Sequence, residues 1–140
     1  MVTTLVVNFN NKYSHEIKTI RNSVFTLEQY VDPQIDFDGQ DENATHVLVK
    51  NNDKFVGTGR ILSDGHIGRI AVLKSDRGLG LGMEIVSALL KEAQSKGLSR
   101  AYLGSQEYAI GFYLKLGFVP YGDPYIEANI EHRFMEIMFK

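Results

Sequence analysis

Apolar periodicity changes abruptly at the run Gly78-Leu79-Gly80-Leu81-Gly82. Before it, Thr45 to Lys50, Lys54 to Leu62 and His66 to Leu73 are runs of strand type. After it, Ile85, Val86, Leu89, Leu90 and Ala93 form one stripe at helical spacing. Glu84 in the first turn and Lys96 in the last suit the helix dipole, and Gly97 supplies the stop. A strand must therefore feed a helix through a glycine-rich turn, which restricts the chain to folds that mix the two element types.

The remaining signals extend that order. Val2 to Val7 reads as a first strand, and Asn8 to Ser14 as a polar turn. Ile17, Ile20, Val24 and Leu27 mark an amphipathic helix from Ser14 that ends before Pro33. Asp32 to Asn43 carries Asp32, Asp36, Asp38, Asp41 and Glu42 without apolar periodicity and is expected to be an acidic surface loop. Asn51-Asn52-Asp53 and Ser63-Asp64-Gly65 are turn sequences, so three antiparallel strands follow one another. Ala101 to Gly104 is a short strand, and Ser105 is a candidate N-cap. Ala109, Phe112, Tyr113 and Leu116 form a second helical stripe closed by Gly117, and Phe118 to Tyr121 and Arg133 to Phe139 are the last strands. The expected class is α/β (α+β), with a mixed sheet at the centre and helices on its faces. All 140 residues are read as one domain, because two ordinary cores need a longer chain.

Composition excludes several functions. Fifteen Lys and Arg against seventeen Asp and Glu give a net charge of −2 with no basic block, so nucleic acid is not the expected partner. With no cysteine, disulfides, thiolate zinc sites and Cys nucleophiles are all absent. The four histidines lack metal-ligand spacing, so no metal is expected. Polar residues from Asn8 onward interrupt the first apolar run too early for a signal sequence, and no later run is long enough to span a membrane. A cytoplasmic protein without a membrane partner is the expectation.

Chemistry concentrates at Arg77 to Met83. Alternating glycines let successive backbone N–H groups converge, and the helix N-terminus adds partial positive charge, so the segment is an anion cradle suited to phosphate. Arg77 can add a forked contact to a phosphate oxygen. A glycine-rich turn beside a solvated arginine is the plainer reading of the same residues. Met83 or Ile85 stands where a dinucleotide fingerprint needs its third glycine, and no Gly-Lys-Ser/Thr closes a nucleotide-triphosphate loop.

Ile70-Ala71-Val72 followed by Arg77-Gly78-Leu79-Gly80-Leu81-Gly82 resembles the R/Q-x-x-G-x-G/A signature of the GNAT superfamily of acyl-CoA N-acyltransferases. Gln106 to Phe118 is similar to that superfamily's N-x-x-A-x-x-F-Y-x-x-x-G-F element, with Gln106 in place of Asn. Glu28-Gln29, Thr45-His46, Val56 to Arg60, Glu127-Ala128 and His132 resemble the small single-domain YjcF-type branch, although Asn129-Ile130-Glu131-His132 replaces its usual Gly-Ile-Pro-His.

The resemblance implies a mostly antiparallel sheet of about six or seven strands and acetyl transfer from acetyl-CoA to a primary amine. It implies direct attack in a ternary complex; a non-catalytic acyl-CoA or CoA-binding module is the alternative. By the same resemblance, Ile70, Ala71 and Val72 lend backbone groups to the pantetheine arm from a strand splayed from its neighbour. Arg77, Gly78, Leu79, Gly80, Leu81, Gly82 and Met83 hold the pyrophosphate, with Gln106, Ala109, Phe112 and Tyr113 beside the cofactor arm. Tyr113 matches the general acid for the departing thiolate, though its place in an apolar helix stripe equally suits a core residue. Glu28, Asp36, Glu127 and His132 are candidate general bases, Glu28 and His132 first, and each also reads as an ordinary surface carboxylate or satisfied histidine. The acceptor is expected to be a small-molecule or peptide amine. The apolar residues of Phe134 to Phe139 make a homodimer, paired through terminal strands, a reasonable expectation.

Overall fold

A computed structural model describes residues 1–139. In chain order the elements are β1 (Val2–Asn8), α1 (Ser14–Arg21), α2 (Pro33–Asp36), β2 (Thr45–Asn51), β3 (Lys54–Ile61), β4 (Ile67–Val72), α3 (Leu81–Ser95), β5 (Arg100–Gln106), α4 (Ile110–Lys115), β6 (Val119–Glu127) and β7 (Ile130–Met138). Helix α1 runs on as a π-helical stretch, Asn22–Glu28, and the chain leaves it through Tyr30 at φ 60°, before Pro33.

Seven strands and flanking helices match the expected class, but the sheet is in two parts. One has the order β1-β2-β3-β4 and the other β5-β7-β6, every pairing within them antiparallel. They touch at one parallel bridge between His66 and Tyr102, where the Tyr102 N–H donates to the Gly65 carbonyl at 3.0 Å.

Strand alternation distributes the core between two faces. Leu48 of β2 packs with Val7, Ala71, the α1 residues Ile17 and Ile20, and Val24 of the π-helical stretch. Its neighbours Val47 and Val49 point the other way, toward Ile85, Val86 and Leu89 of α3. Each of these fully buried aliphatic side chains contributes about 1.5–3 kcal/mol relative to exposure. The contact with α3 explains an otherwise weak strand composition: a Cβ on Gly59 would lie 2.6 Å from Ile85 Cγ2, so only glycine lets α3 come so close to β3.

Three expectations need correction. Ser105 is not an N-cap: it lies buried inside β5, its hydroxyl donates to the Gln106 carbonyl, and Ala109 holds the α4 cap position. The last strands are longer than expected, and β7 lies between β5 and β6. The C-terminal strand therefore has no free edge. The outer edge of this sheet belongs to β6, where Pro120 and Pro124 lack N–H donors and Gly122 sits at φ 70° in an irregular stretch.

The acidic segment lies on the surface but is more than a solvated loop, because Asp36 and Asp41 are buried. Arg21 falls on the buried stripe of α1 and is 1% exposed, so its charge needs counter-charges inside the protein. Its Nη1 donates to Asp41 Oδ1 at 2.6 Å and its Nη2 to Asp36 Oδ1 at 3.1 Å. Arg60 of β3 bonds the same Asp41 oxygen at 2.9 Å and Asp38 Oδ2 at 2.7 Å, and Arg69 of β4 reaches Asp38 Oδ2 at 3.3 Å. Three arginines on regular elements thus bind three aspartates from one connecting segment and fix it against the sheet.

Candidate functional site

Two strands diverge above the His66–Tyr102 bridge. Strands β4 and β5 leave it in parallel, and past that point no ladder joins them. Ala71 is buried toward α1, while Ile70 and Val72 pack toward α3. Their side chains are core residues, and the backbone edge of β4 that faces β5 has no strand partner there, although its Val72 carbonyl accepts from Arg77 Nε at 3.0 Å.

A local distortion accompanies the divergence. Arg69 has φ 52°, a left-handed conformation that a non-glycine residue rarely adopts, in the middle of β4. The β3–β4 register shifts between Thr58 and Arg60, opposite it. The Arg69 side chain holds the bulge in place: Nε donates to the Asp36 carbonyl at 3.0 Å and Nη2 to the Ile35 carbonyl at 3.1 Å.

Beyond β4 a short turn at Lys74–Asp76 leads to the glycine run. Gly78 and Gly80 have φ 82° and 78°, so both need the conformation that glycine alone adopts freely. The next bond of the helix ladder runs from the Glu84 N–H to the Gly80 carbonyl. Among the described residues, no protein acceptor takes the N–H groups of Gly78, Leu79, Gly80, Leu81, Gly82 or Met83. These six donors at the start of a 15-residue helix are the geometry an anion needs.

The N-terminus of α3 meets α4. A Cβ on Gly82 would lie 3.5 Å from Phe112 Cζ, and Phe112 packs edge-on against Tyr113. The Tyr113 phenol has no hydrogen-bond partner among the described residues, and burial, helped by the nearby Tyr108, pushes its pKa up to about 12. Gln106 ends β5 opposite His132 of β7, and Ala109 opens α4. Of the residues expected to hold an acyl-CoA, Ile70 to Val72 lie on β4, Gly78 to Met83 run into the α3 N-terminus, and Phe112 of α4 packs at Gly82. Tyr108, 80% exposed, lies near both Arg77 and Tyr113 and gave no signal in the sequence.

The candidate bases divide into two groups. Glu28 Oε2 and Oε1 accept from Arg77 Nη1 and Nη2 at 2.6 and 2.7 Å, and the Arg77 hydrogen bond holds the Glu28 carboxyl below its ordinary value. Asp36 is 2% exposed within the arginine network. His132 and Glu127 instead meet at the far end of β6 and β7, with Nε2 and Oε2 3.9 Å apart. His132 Nδ1 lies 2.7 Å from the Ile130 carbonyl, which can only accept, so Nδ1 carries the proton and the neutral ring keeps a lone pair on Nε2. The Tyr125 ring stacks on His132 at 5.3 Å.

The sequence reading missed the Arg21, Arg60 and Arg69 network. Its one available signal was an arginine at position 21, on the same stripe as Ile17, Ile20 and Val24. Among the described residues no group of three His, Asp or Glu side chains is placed to hold a metal ion, and no helix is long and apolar enough to cross a membrane.

Comparison with known proteins agrees with this geometry. Residues 11–139 match the family described as acetyltransferase (GNAT) domain. The chain is 40% identical over 127 residues to the Bacillus subtilis protein YyaT, covering 86% of each. It is 34% identical over 131 residues to YjcF of the same organism, an N-acetyltransferase by name, covering 91% of this chain and 94% of YjcF. Among solved structures, an acyl-CoA N-acyltransferase from Pseudomonas aeruginosa superposes with TM-score 0.88 at 25% identity, over 97% of this chain and 99% of that one. Escherichia coli ElaA does so with TM-score 0.87 at 28% identity, with the same coverage.

Proposed function

Because the chain belongs to the GNAT acetyltransferase family, we propose that it transfers the acetyl group of acetyl-CoA to a primary amine by direct attack in a ternary complex. The observation that carries this reading is the set of six unclaimed N–H groups from Gly78 to Met83, at the mouth of the opening between β4 and β5. These donors, with the positive end of α3, suit the diphosphate of CoA. The open backbone edge at Ile70 to Val72 suits the pantetheine arm and polarisation of the thioester carbonyl.

In this reading the amine nitrogen bonds to the carbonyl carbon as the carbon–sulfur bond breaks. Tyr113, whose raised pKa keeps its proton in place throughout the neutral range, gives that proton to the departing sulfur, and the second proton shed by the nitrogen as the amide forms restores the phenol. An ammonium cannot attack, so the incoming amine must first lose a proton. His132 Nε2 takes it through water, with Glu127 beside the ring. Glu28 ranks behind His132, because its carboxylate is bound to Arg77 and is a weaker base for it. The chain has no cysteine to carry an acyl group. That pairing of Glu28, with the burial of Asp36, also favours a second reading, an acyl-CoA-binding module without transfer activity.

Thermal stabilisation by acetyl-CoA, CoA, NAD and ATP in parallel tests the reading. A ligand at 100 times its Kd adds about 2.7 kcal/mol, a readily seen shift for one small domain. Stabilisation by acetyl-CoA and CoA alone is expected; stabilisation by NAD or ATP alone, or by nothing, would discard it. Transfer to an amine after binding then separates the enzyme from the binding module.

A further inference from the structure

The cation that borders the cradle is already occupied. Arg77 has five N–H donors. Its Nε donates to the Val72 carbonyl at 3.0 Å, and Nη1 and Nη2 grip Glu28 end-on at 2.6 and 2.7 Å. A forked guanidinium fits a carboxylate and a phosphate equally well, so the Glu28 carboxylate holds the geometry that a phosphate would take.

Glu28 is built to leave. It is the last residue of the π-helical stretch, which Gln29 caps and Tyr30 leaves at φ 60°, and its side chain is 36% exposed. Among the described residues its carboxylate has no hydrogen-bond donor besides Arg77. An exposed pair of this kind is held weakly, and rotation of one side chain into water releases it.

We propose that Glu28 is the counter-anion of the ligand-free cradle, which the CoA diphosphate must displace from Arg77, so that residue 28 sets the affinity for the acyl donor. This rests on the acyl-CoA reading above. With Glu28 in place Arg77 is neutralised, and the positive potential over Gly78 to Met83 comes from the backbone and the nearby Lys74. A ligand of low negative charge gains nothing from Arg77, whereas a diphosphate carries enough charge to exchange partners with it. Loss of the carboxylate leaves Arg77 free to meet phosphate at no cost in displaced anion.

Calorimetric titration with CoA at low ionic strength, on wild type, Glu28→Gln, Arg77→Gln and the double variant, tests the exchange. Glu28→Gln keeps the size and hydrogen-bonding capacity of the side chain and removes its charge. It is expected to bind CoA about fivefold more tightly than wild type, a gain that shrinks as salt screens the exposed charges. On the Arg77→Gln background the same change is expected to give a gain below about twofold. Unchanged or weaker CoA binding by Glu28→Gln, or an equal gain without Arg77, overturns the exchange while leaving the acyl-CoA reading intact. Failure of wild type and every variant to bind CoA overturns both.

Discussion

The hydroxyl of Tyr125 occupies the space where a Cβ on residue 104 would sit. Tyr125 belongs to β6 and Gly104 to β5, with β7 between them, so the ring reaches across the middle strand between His132 and Phe134 to close on the far one. The glycine is the receptor for that hydroxyl, and the stack that includes His132 depends on it.

Gly104→Ala is therefore expected to cost about 1–3 kcal/mol, the usual range for overpacking. The clash comes from the hydroxyl, since Tyr125 Cζ is 3.5 Å from the built Cβ, an ordinary contact. In a Tyr125→Phe background the same substitution is expected to cost less than about 1 kcal/mol. Urea melts of the four proteins measure the difference, and equal costs in both backgrounds would remove Tyr125 from the explanation.

Arg69 offers a reversal of ordinary strand preference. In a strand interior, glycine is usually worse than alanine by roughly 0.5–1 kcal/mol. At φ 52° the alanine side chain carries the left-handed penalty of about 1 kcal/mol and glycine does not. Both variants lose the same bonds to Ile35, Asp36 and Asp38. Arg69→Gly is expected to be the more stable of the two by thermal melting, and the opposite order would mean that the bulge relaxes once the arginine is gone.

Acid should destabilise the protein in two stages. Burial holds the pKa of His46 below its ordinary 6.5, and burial does the same for His66. Hydrogen bonding from Arg60 holds Asp38 well below 3.8, while for Asp41 the pairing with Arg21 and Arg60 outweighs the upward push of burial. In each case the unfolded chain takes up protons at a pH where the folded one does not. Stability is thus complete above the unfolded values and falls as pH drops toward the folded ones. The melting temperature is expected to decline gently below about pH 6.5 and steeply below about pH 4. His46→Gln should remove part of the gentle limb only; melting curves across that range with an unaltered upper limb would refute the assignment to His46.

Tyr113→Phe isolates the proposed acid. The phenol has no hydrogen bond to any of the described residues, so the change orphans no partner among them. With any amine found to support transfer, kcat is expected to fall about a hundredfold, within the usual range for loss of a general acid, with CoA affinity changed less than about twofold. Full turnover would return Tyr113 to a packing role among Phe112 and Phe118.

Local pattern gave the element order and the cradle because both are written in neighbouring residues. The stripe from Ile85 to Ala93 and the glycines at 78 and 80 need no partner to be read. The acidic segment was misread because its meaning lies in Arg21, Arg60 and Arg69, and three separate elements must assemble before those charges meet. Ser105 was misread because cap and strand differ by backbone pairing with β7, where its partner Arg133 lies 28 positions away along the chain. The bulge at Arg69 was illegible for a similar reason, since it depends on the shifted register of β3 against β4.

The opening between β4 and β5 places a sheet edge inside the protein. Most proteins meet the hazard of an unpaired strand with charge or proline on an outer rim, as β6 does here with Pro120 and Pro124. The β4 edge at Ile70 to Val72 has no proline and only the Arg77 guanidinium on its Val72 carbonyl, and shelters between two helix layers instead. Whatever settles there completes a hydrogen-bonded row that the polypeptide leaves unfinished, so occupancy of that gap and the cohesion of the two half-sheets are one and the same equilibrium.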